Sequence, residues 1–192
     1  MERYFVLEDT MEITDKIAQD VMKNVMKYAK ILKKDPENYE ARAEIMWCGS
    51  LSHNGLTGCG TCGGDWATHL IEHELGGMFD VAHGAGLAAV WGSWARYVMD
   101  EKPERFAQFA VDVMGVEESD DVKSTALKGI EAVEEFYRMI EMPTNMKELG
   151  INPTDEQIKD MAMKATNHDT QQLGAFKKLS AKDLVEIYKT AK

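Results

Sequence analysis

Apolar residues recur at helical spacing along most of the chain. The segment ITDKIAQDVMKNVMKYAKILKKD places apolar side chains three and four residues apart. This spacing predicts an amphipathic helix with Thr14 as its N-cap and an end at Asp35-Pro36. NYEARAEIMWCGSLSHNGL predicts a second helix, and its nearly uncharged centre, from Ile45 to Leu51, predicts that this helix is the more buried of the two.

The middle of the chain predicts two short helices joined by a glycine turn. Thr57 to Gly64 is glycine-rich and predicts a loop. Asp65 is placed to cap the following helix, WATHLIEHELGG, which the pair Gly76-Gly77 would end. GAGLAAVWGSWARYVMD carries its charges only at one end, so we expect this helix at the centre of the fold.

The remaining sequence also follows the helical period. PERFAQFAVDVMG begins with proline, which suits a first helical turn, and SDDVKSTALKGIEAVEEFYRMIEM is long and amphipathic. Two more helices are predicted at 154–167 and 181–189. No segment shows convincing strand alternation and no internal repeat is found, so the predicted fold is an all-α helical bundle that forms one domain over residues 1–192.

Composition agrees with a globular protein of this size. The chain has 192 residues, 44% of them hydrophobic and 29% charged, and no apolar run approaches the roughly 20 residues that cross a bilayer. The first residues, MERYFVLEDT, lack the pattern of a signal peptide. We therefore expect a soluble cytoplasmic protein that does not bind membranes.

Charge excludes one class of partner. The net charge is -11, from 33 acidic and 22 basic residues, and such a surface repels phosphate backbones. Nucleic acid is therefore not an expected partner. The three cysteines are an odd number in a chain without a secretory signal, which favours free thiols over a disulfide framework.

The loop GCGTCG, from Gly58 to Gly63, carries two superficial motifs. Its letters match the dinucleotide fingerprint G-x-G-x-x-G, but that motif needs a preceding strand and here a helix precedes it, so no cofactor-binding residue is predicted. Cys59 and Cys62 form a C-x-x-C pair. A second such pair is absent, which favours incidental surface thiols over a redox centre or a zinc site.

Three of the five histidines lie within HLIEHELGGMFDVAHG. His69 and His73 are four residues apart and share a helix face, so both could bind one metal. With Glu72 between them they match H-x-x-E-H, the inverted zincin motif, in which the glutamate polarises water. A zinc metallopeptidase is therefore one alternative, and it would need a further glutamate from a set of three: Glu131, Glu134 and Glu135.

His83 supports a different metal site. In an unbroken helix, the fourteen residues from His69 to His83 would span about 21 Å, too far for a shared metal. A turn at Gly76-Gly77 would bring the two histidines together. Two ligands from separate elements suit an open catalytic metal better than a closed structural one.

The stretch WATHLIEHELGGMFDVAHGAGLA resembles the signature of the iron-containing, group III alcohol dehydrogenases, in particular their butanol dehydrogenase-like, NAD(P)H-dependent aldehyde reductase branch. The likeness extends to PENYEARAEIMW and LSAKDLVEIYK and covers essentially the whole chain. In that family, a dinucleotide-binding domain precedes a helical domain, and one Asp and three His hold a divalent iron or zinc. The resemblance therefore implies an all-α domain of the C-terminal, metal-binding kind.

Residue by residue, the resemblance places His69 and His83 at two metal-ligand positions. It places His73 where a histidine lines the substrate and nicotinamide pocket, and the match to H-x-x-E-H is then fortuitous. The other two ligands come from a D-x-x-x-H stretch, and ERYF at Glu2 to Phe5 resembles the family's residues immediately after that stretch. We therefore expect only the C-terminal half of such an enzyme, with a partial metal site, no dinucleotide-binding domain and no activity of its own.

The implied reaction is hydride transfer between NAD(P)H, bound only by the intact enzyme, and a small aldehyde or alcohol. The metal would act as a Lewis acid on the substrate oxygen. Phe79, Trp91 and Trp94 could wall the substrate space or simply fill the core. A non-catalytic alternative is a helical remnant that binds a partner, or forms a homodimer, through an exposed apolar face.

Overall fold

The computed structural model describes residues 1–8 and 11–192, and it confirms the all-α prediction. The α-helices of the described residues are, in chain order, α1 (Glu12–Lys34), α2 (Tyr39–His53), α3 (Ala67–Phe79), α4 (His83–Val98), α5 (Pro103–Asp112), α6 (Val122–Met139), α7 (Asp155–Ala165) and α8 (Ala181–Thr190). Short 3-10 turns follow α2 and α4. Within the same described ranges, extended pairing is limited to one isolated bridge, between Leu173 and Leu179.

The helices belong to two compact units. The first unit comprises Met1–Gly64 and Lys102–Ile140 and contains α1, α2, α5 and α6. The second comprises Asp65–Glu101 and Glu141–Lys192 and contains α3, α4, α7 and α8. The expectation of one domain over residues 1–192 stays a prediction.

A buried ion pair joins α1 to α5 in the first unit. The Arg105 guanidinium donates to both carboxylate oxygens of Asp15, at 2.5 and 2.7 Å, and also to the backbone oxygen of Tyr4. It lies 3.6 Å above the ring of Tyr4. Because both charged side chains are less than a tenth exposed, the start of α1 is fixed by a pair that is fully enclosed within the unit.

Helices α5 and α6 approach each other closely at Gly129. A Cβ atom at this position would lie 2.5 Å from Cβ of Ala110 and 2.9 Å from its Cα. Such distances are far below van der Waals contact, so only glycine lets the two helices pack this closely.

Helix α4 is the centre of the second unit, as its apolar sequence predicts. Ten of its residues are buried, and α3 and α8 pack against it. Asp65 fixes the start of α3 by accepting hydrogen bonds from the backbone N–H groups of Ala67, Ala175 and Phe176 at 2.7–2.9 Å. Within the second unit, backbone hydrogen bonds to Asp65 therefore hold the start of α3, and side-chain packing in the core holds α4.

Two local predictions in the first unit are wrong. Thr14 is not the N-cap of α1: it lies inside the helix, where its hydroxyl donates to the backbone oxygen of Cys59, and Met11 is the cap residue. Helix α2 is not the more buried helix, since Met46 and Trp47 are 75% and 61% exposed. A lack of charge marks apolar surface, but it does not by itself show that another element covers that surface.

Across the described residues, none of the helices combines the length and the apolar character needed to cross a bilayer.

Candidate metal centre

The turn between α3 and α4 lies later than the sequence predicts. Gly76 and Gly77 remain helical, and α3 continues to Phe79. The chain turns at Asp80, which adopts a left-handed conformation with φ 52° and donates its N–H to the oxygen of Gly76. Glycine permits a turn but does not impose one, and here the last turn of α3 is kept by packing on α4.

The turn brings the three histidines of the motif together. His69 and His73 lie on one face of α3, and His83 is the first residue of α4. The ring centroids of His69 and His83 are 5.1 Å apart, those of His73 and His83 are 5.6 Å apart, and those of His69 and His73 are 6.1 Å apart. His69 is half-buried, whereas His73 and His83 are exposed. The site therefore opens to solvent on one side.

The spacing of two of these rings suits a shared metal ion. Nitrogen ligands bind zinc at about 2.0–2.1 Å, which places the centroids of two imidazoles on one ion about 4.5–5.2 Å apart for angles between octahedral and tetrahedral. The separation of His69 and His83 falls within this range, and the other two separations exceed it. Neutral imidazole is a common ligand of both iron and zinc. The residues present therefore fit a divalent transition metal.

Glu72 lies beneath this cluster. Its side chain is 2% exposed, and its Oε2 accepts a hydrogen bond from Nδ1 of His83, whose side chain is 52% exposed. A carboxylate can only accept, so Nδ1 carries the hydrogen in this contact, and in the neutral form of His83 the lone pair is then on Nε2. The sequence indicates Glu72 only as part of the peptidase motif, and its contact with His83 depends on the turn between the two helices.

Two glycines make room for this carboxylate. A Cβ atom at Gly86 of α4 would lie 2.6 Å from Oε1 and 2.7 Å from Cγ of Glu72, and one at Gly76 would lie 3.1 Å from Oε1. A side chain at Gly86 could therefore not coexist with Glu72 in this position. Glu72 is held between the backbones of α3 and α4.

A second donor set is present at the same place. Glu72, His73 and His83 offer one ligand atom each within 4.8 Å of one another, and within the described part of the chain this is the group of three such residues that could hold a metal. However, Oε2 of Glu72 already accepts from His83, and Oε1 lies against the two glycines. Glu72 is therefore better placed to support a ligand than to be one, which favours His69 and His83.

The aromatic residues near the motif differ in exposure. Trp91 and Trp94 are 3% and 0% exposed within α4, so they pack in the core of the second unit, while Phe79 is half-buried at the end of α3. Trp66, which the sequence does not single out, adopts a left-handed conformation immediately before α3. Its ring meets that of His69 edge-on, with centroids 5.1 Å apart. Trp66 therefore borders the histidine cluster, and Trp91 and Trp94 are core residues.

In the described residues, the loop from Gly58 to Gly63 does not have the structural context that either of its motifs would need. It follows α2 and a 3-10 turn (Leu56–Gly58), and no strand precedes it in the described residues. Cys59 and Cys62 are free and exposed, and Cys48 is free and buried. The prediction of free thiols agrees with the structure.

Comparisons with known proteins identify the family. The sequence model that describes the C-terminal part of the iron-containing alcohol dehydrogenase family matches residues 1–192. The chain belongs to this family. Within it, the chain is 31% identical over 189 residues to NADH-dependent butanol dehydrogenase A of Clostridium acetobutylicum, covering 98% of this chain and 48% of that protein. It is 35% identical over 191 residues to the probable NADH-dependent butanol dehydrogenase 1 of Bacillus subtilis, covering 99% and 48%.

Solved structures of the iron-containing alcohol dehydrogenase family show the same fold. The crystal structure of NADH-dependent butanol dehydrogenase A from Thermotoga maritima superposes with a TM-score of 0.89 at 34% identity, over 99% of this chain and 48% of that one. The aldehyde reductase YqhD of Escherichia coli superposes with a TM-score of 0.90 at 28% identity, over 100% and 49%. The chain spans about half the length of the curated relatives it matches. The resemblance of the chain to this family is therefore confirmed.

Proposed function

We propose that this chain supplies His69 and His83 to a divalent iron or zinc in an NAD(P)H-dependent alcohol dehydrogenase or aldehyde reductase. The observation that carries the proposal is the 5.1 Å separation of the two rings, which lie on different helices. Membership of the family supports the reaction class, because the matching proteins include butanol dehydrogenases and an aldehyde reductase.

When bound, the metal would supply Lewis acidity to the oxygen of a small alcohol or aldehyde while a hydride passes to or from the nicotinamide. His69 and His83 would hold it. His73 is exposed beside them, with its ring centroid 5.6 Å from that of His83. In this position His73 would pass a proton between the substrate oxygen and water, as a general acid and base.

The metallopeptidase alternative is less well supported. That mechanism needs the glutamate of H-x-x-E-H at a water molecule on the open side of the metal. Glu72 is instead 1% exposed and faces His83. The burial of Glu72 therefore favours the dehydrogenase assignment of the motif.

Metal titration into single-histidine variants tests the ligand set. Anaerobic calorimetry with Fe²⁺ and Zn²⁺ is expected to show the affinity of the chain reduced at least tenfold by His69→Ala and by His83→Ala, and little changed by His73→Ala. His53→Ala is a matched control, because His53 is also exposed and helical but bonds only to Ser52 and Gly49. If His73→Ala abolished binding and His69→Ala did not, the second donor set would hold the metal and the assignment would be wrong.

Some expectations stay predictions. They are the homodimer, the exclusion of nucleic acid and the cytoplasmic location. The substrate is proposed only as a small alcohol or aldehyde.

A further inference from the structure

The contact between Glu72 and His83 has a function that the H-x-x-E-H motif does not indicate. We infer that Glu72 is a positioning residue that sets the ring orientation of His83, so that Nε2 faces the metal. The inference deepens the proposed function and rests on it, since His83 must be a metal ligand for its orientation to matter.

The two members of the pair differ in burial. Glu72 is almost fully buried, while the side chain of His83 is about half exposed. The acceptor is therefore held by the protein, and the imidazole is held by the acceptor. The ring of His83 also lies beside those of His69 and His73, but its hydrogen bond to Glu72 is the contact that selects one ring nitrogen.

The contact with Glu72 selects one ring nitrogen of His83. Nδ1 of His83 donates to Oε2 of Glu72, which leaves Nε2 as the nitrogen with a free lone pair. The ring of His69 is 5.1 Å away, at the distance expected for a shared ion. Metal-binding histidines commonly donate their second nitrogen to a carboxylate, which fixes the tautomer and strengthens the metal bond.

The two glycines beside Glu72 make space for its carboxylate. A Cβ atom at Gly86 would overlap Oε1 and Cγ of Glu72. A Cβ atom at Gly76 would lie only 3.1 Å from Oε1, so glycine leaves room for the carboxylate at this position too. Burying a carboxylate is costly unless it gains strong partners. A shorter or apolar side chain would fill this place without that cost, so the carboxylate itself serves the histidine.

The test is the metal affinity of Glu72→Gln, measured by calorimetry with Zn²⁺ and by the visible spectrum of bound Co²⁺. The amide keeps the size of the side chain but is uncharged and can present either its oxygen or its NH2 group to Nδ1, so it no longer fixes the proton of His83 on that nitrogen. The affinity is expected to fall about 10- to 100-fold, as for other supporting carboxylates, with a changed Co²⁺ spectrum. Glu74→Gln is the matched control, since it removes the same charge from the same helix two residues away, and its affinity should equal that of the unaltered chain.

Unchanged affinity and spectrum in Glu72→Gln, together with loss of binding in His83→Ala, would overturn the inference and leave the proposed function standing. Binding that survives both His69→Ala and His83→Ala would overturn the proposed function and the inference with it.

A measurement on the unaltered chain is independent of how the variants fold. Long-range ¹H–¹⁵N spectra of the metal-free protein should show the hydrogen of His83 on Nδ1. A hydrogen on Nε2 of His83 would overturn the inference.

Discussion

Asp15 of the first unit and Glu72 of the second are both buried carboxylates on helices, and they have different partners. Asp15 is bound by two nitrogens of Arg105, which is itself 4% exposed. Glu72 is bound by one nitrogen of His83, which is half exposed and keeps a second nitrogen available. The charge of Asp15 is therefore matched inside the protein, whereas Glu72 supports a group that still faces outward.

This difference implies that Asp15 contributes mainly to stability and Glu72 mainly to function. An enclosed pair that loses one member leaves a buried charge, so its removal costs mainly folding free energy. A carboxylate beneath an exposed histidine affects what that histidine can bind. Similar substitutions should therefore lower stability alone in the first region and also weaken metal binding in the second. Three experiments, in order of expected effect, can break or sharpen this contrast.

The largest effect is expected for Asp15→Asn. It leaves the Arg105 guanidinium buried without a carboxylate, which should lower the free energy of unfolding by about 3–5 kcal/mol in a urea titration. Metal affinity should not change. Glu12→Gln is the control, because its ion pair with Lys16 is exposed and contributes little. A stability close to that of the unaltered chain would show that the enclosed pair is not the main contact of α1.

Gly86→Ala is expected to lower the free energy of unfolding by an intermediate amount and to weaken Zn²⁺ binding as well. Its Cβ would displace Glu72, at a cost of about 1–3 kcal/mol from overpacking, and Zn²⁺ affinity measured by calorimetry should fall together with stability. Gly129→Ala introduces a similar overlap with Ala110 and should lower stability alone. Gly77→Ala meets nothing within 4 Å and should lower neither. Equal Zn²⁺ affinities in the Gly86 and Gly129 variants would remove the contrast between the two units.

The smallest effect concerns Asp183, a partly buried carboxylate that belongs to the capping box at the start of α8 and accepts hydrogen bonds from Ser180 and Tyr97. Burial alone would raise the pKa of Asp183, but these hydrogen bonds and the nearby charge of Lys177 outweigh it, and its pKa lies below the usual value. A carboxyl group whose pKa is lowered in the folded state stabilises the protein at pH values above its pKa in the unfolded chain, about 3.9. This contribution to the free energy of unfolding is lost as the pH falls through the lower pKa of the folded state.

Asp183→Asn should therefore cost about 1 kcal/mol at neutral pH, in line with other helix caps, and progressively less below about pH 4. Urea titrations at several pH values measure this. Thr154→Ala removes an uncharged cap from α7 and should cost a similar amount at every pH. A cost for Asp183→Asn that is independent of pH would show that its charge has no part in the cap.

Much of the fold could be predicted because helical period and capping are local. The positions of α4, α7 and α8 agree with the sequence to within a few residues, and Pro103 begins α5 as predicted. The errors arise where distant contacts decide. The hydroxyl of Thr14 bonds to Cys59, forty-five residues away, and the apolar surface at Met46 and Trp47 is left exposed. Neither outcome is encoded in the neighbouring residues.

The sequence by itself determined the helical class, the family and the three histidines of the candidate site, because these depend on residue type and spacing along the chain. The tertiary structure alone decided which groups meet. The turn at Asp80, and not at Gly76-Gly77, sets His83 beside His69 and above Glu72. Burial and hydrogen bonding between residues on separate helices depend on packing, and therefore only the folded chain shows Glu72 as the partner of His83.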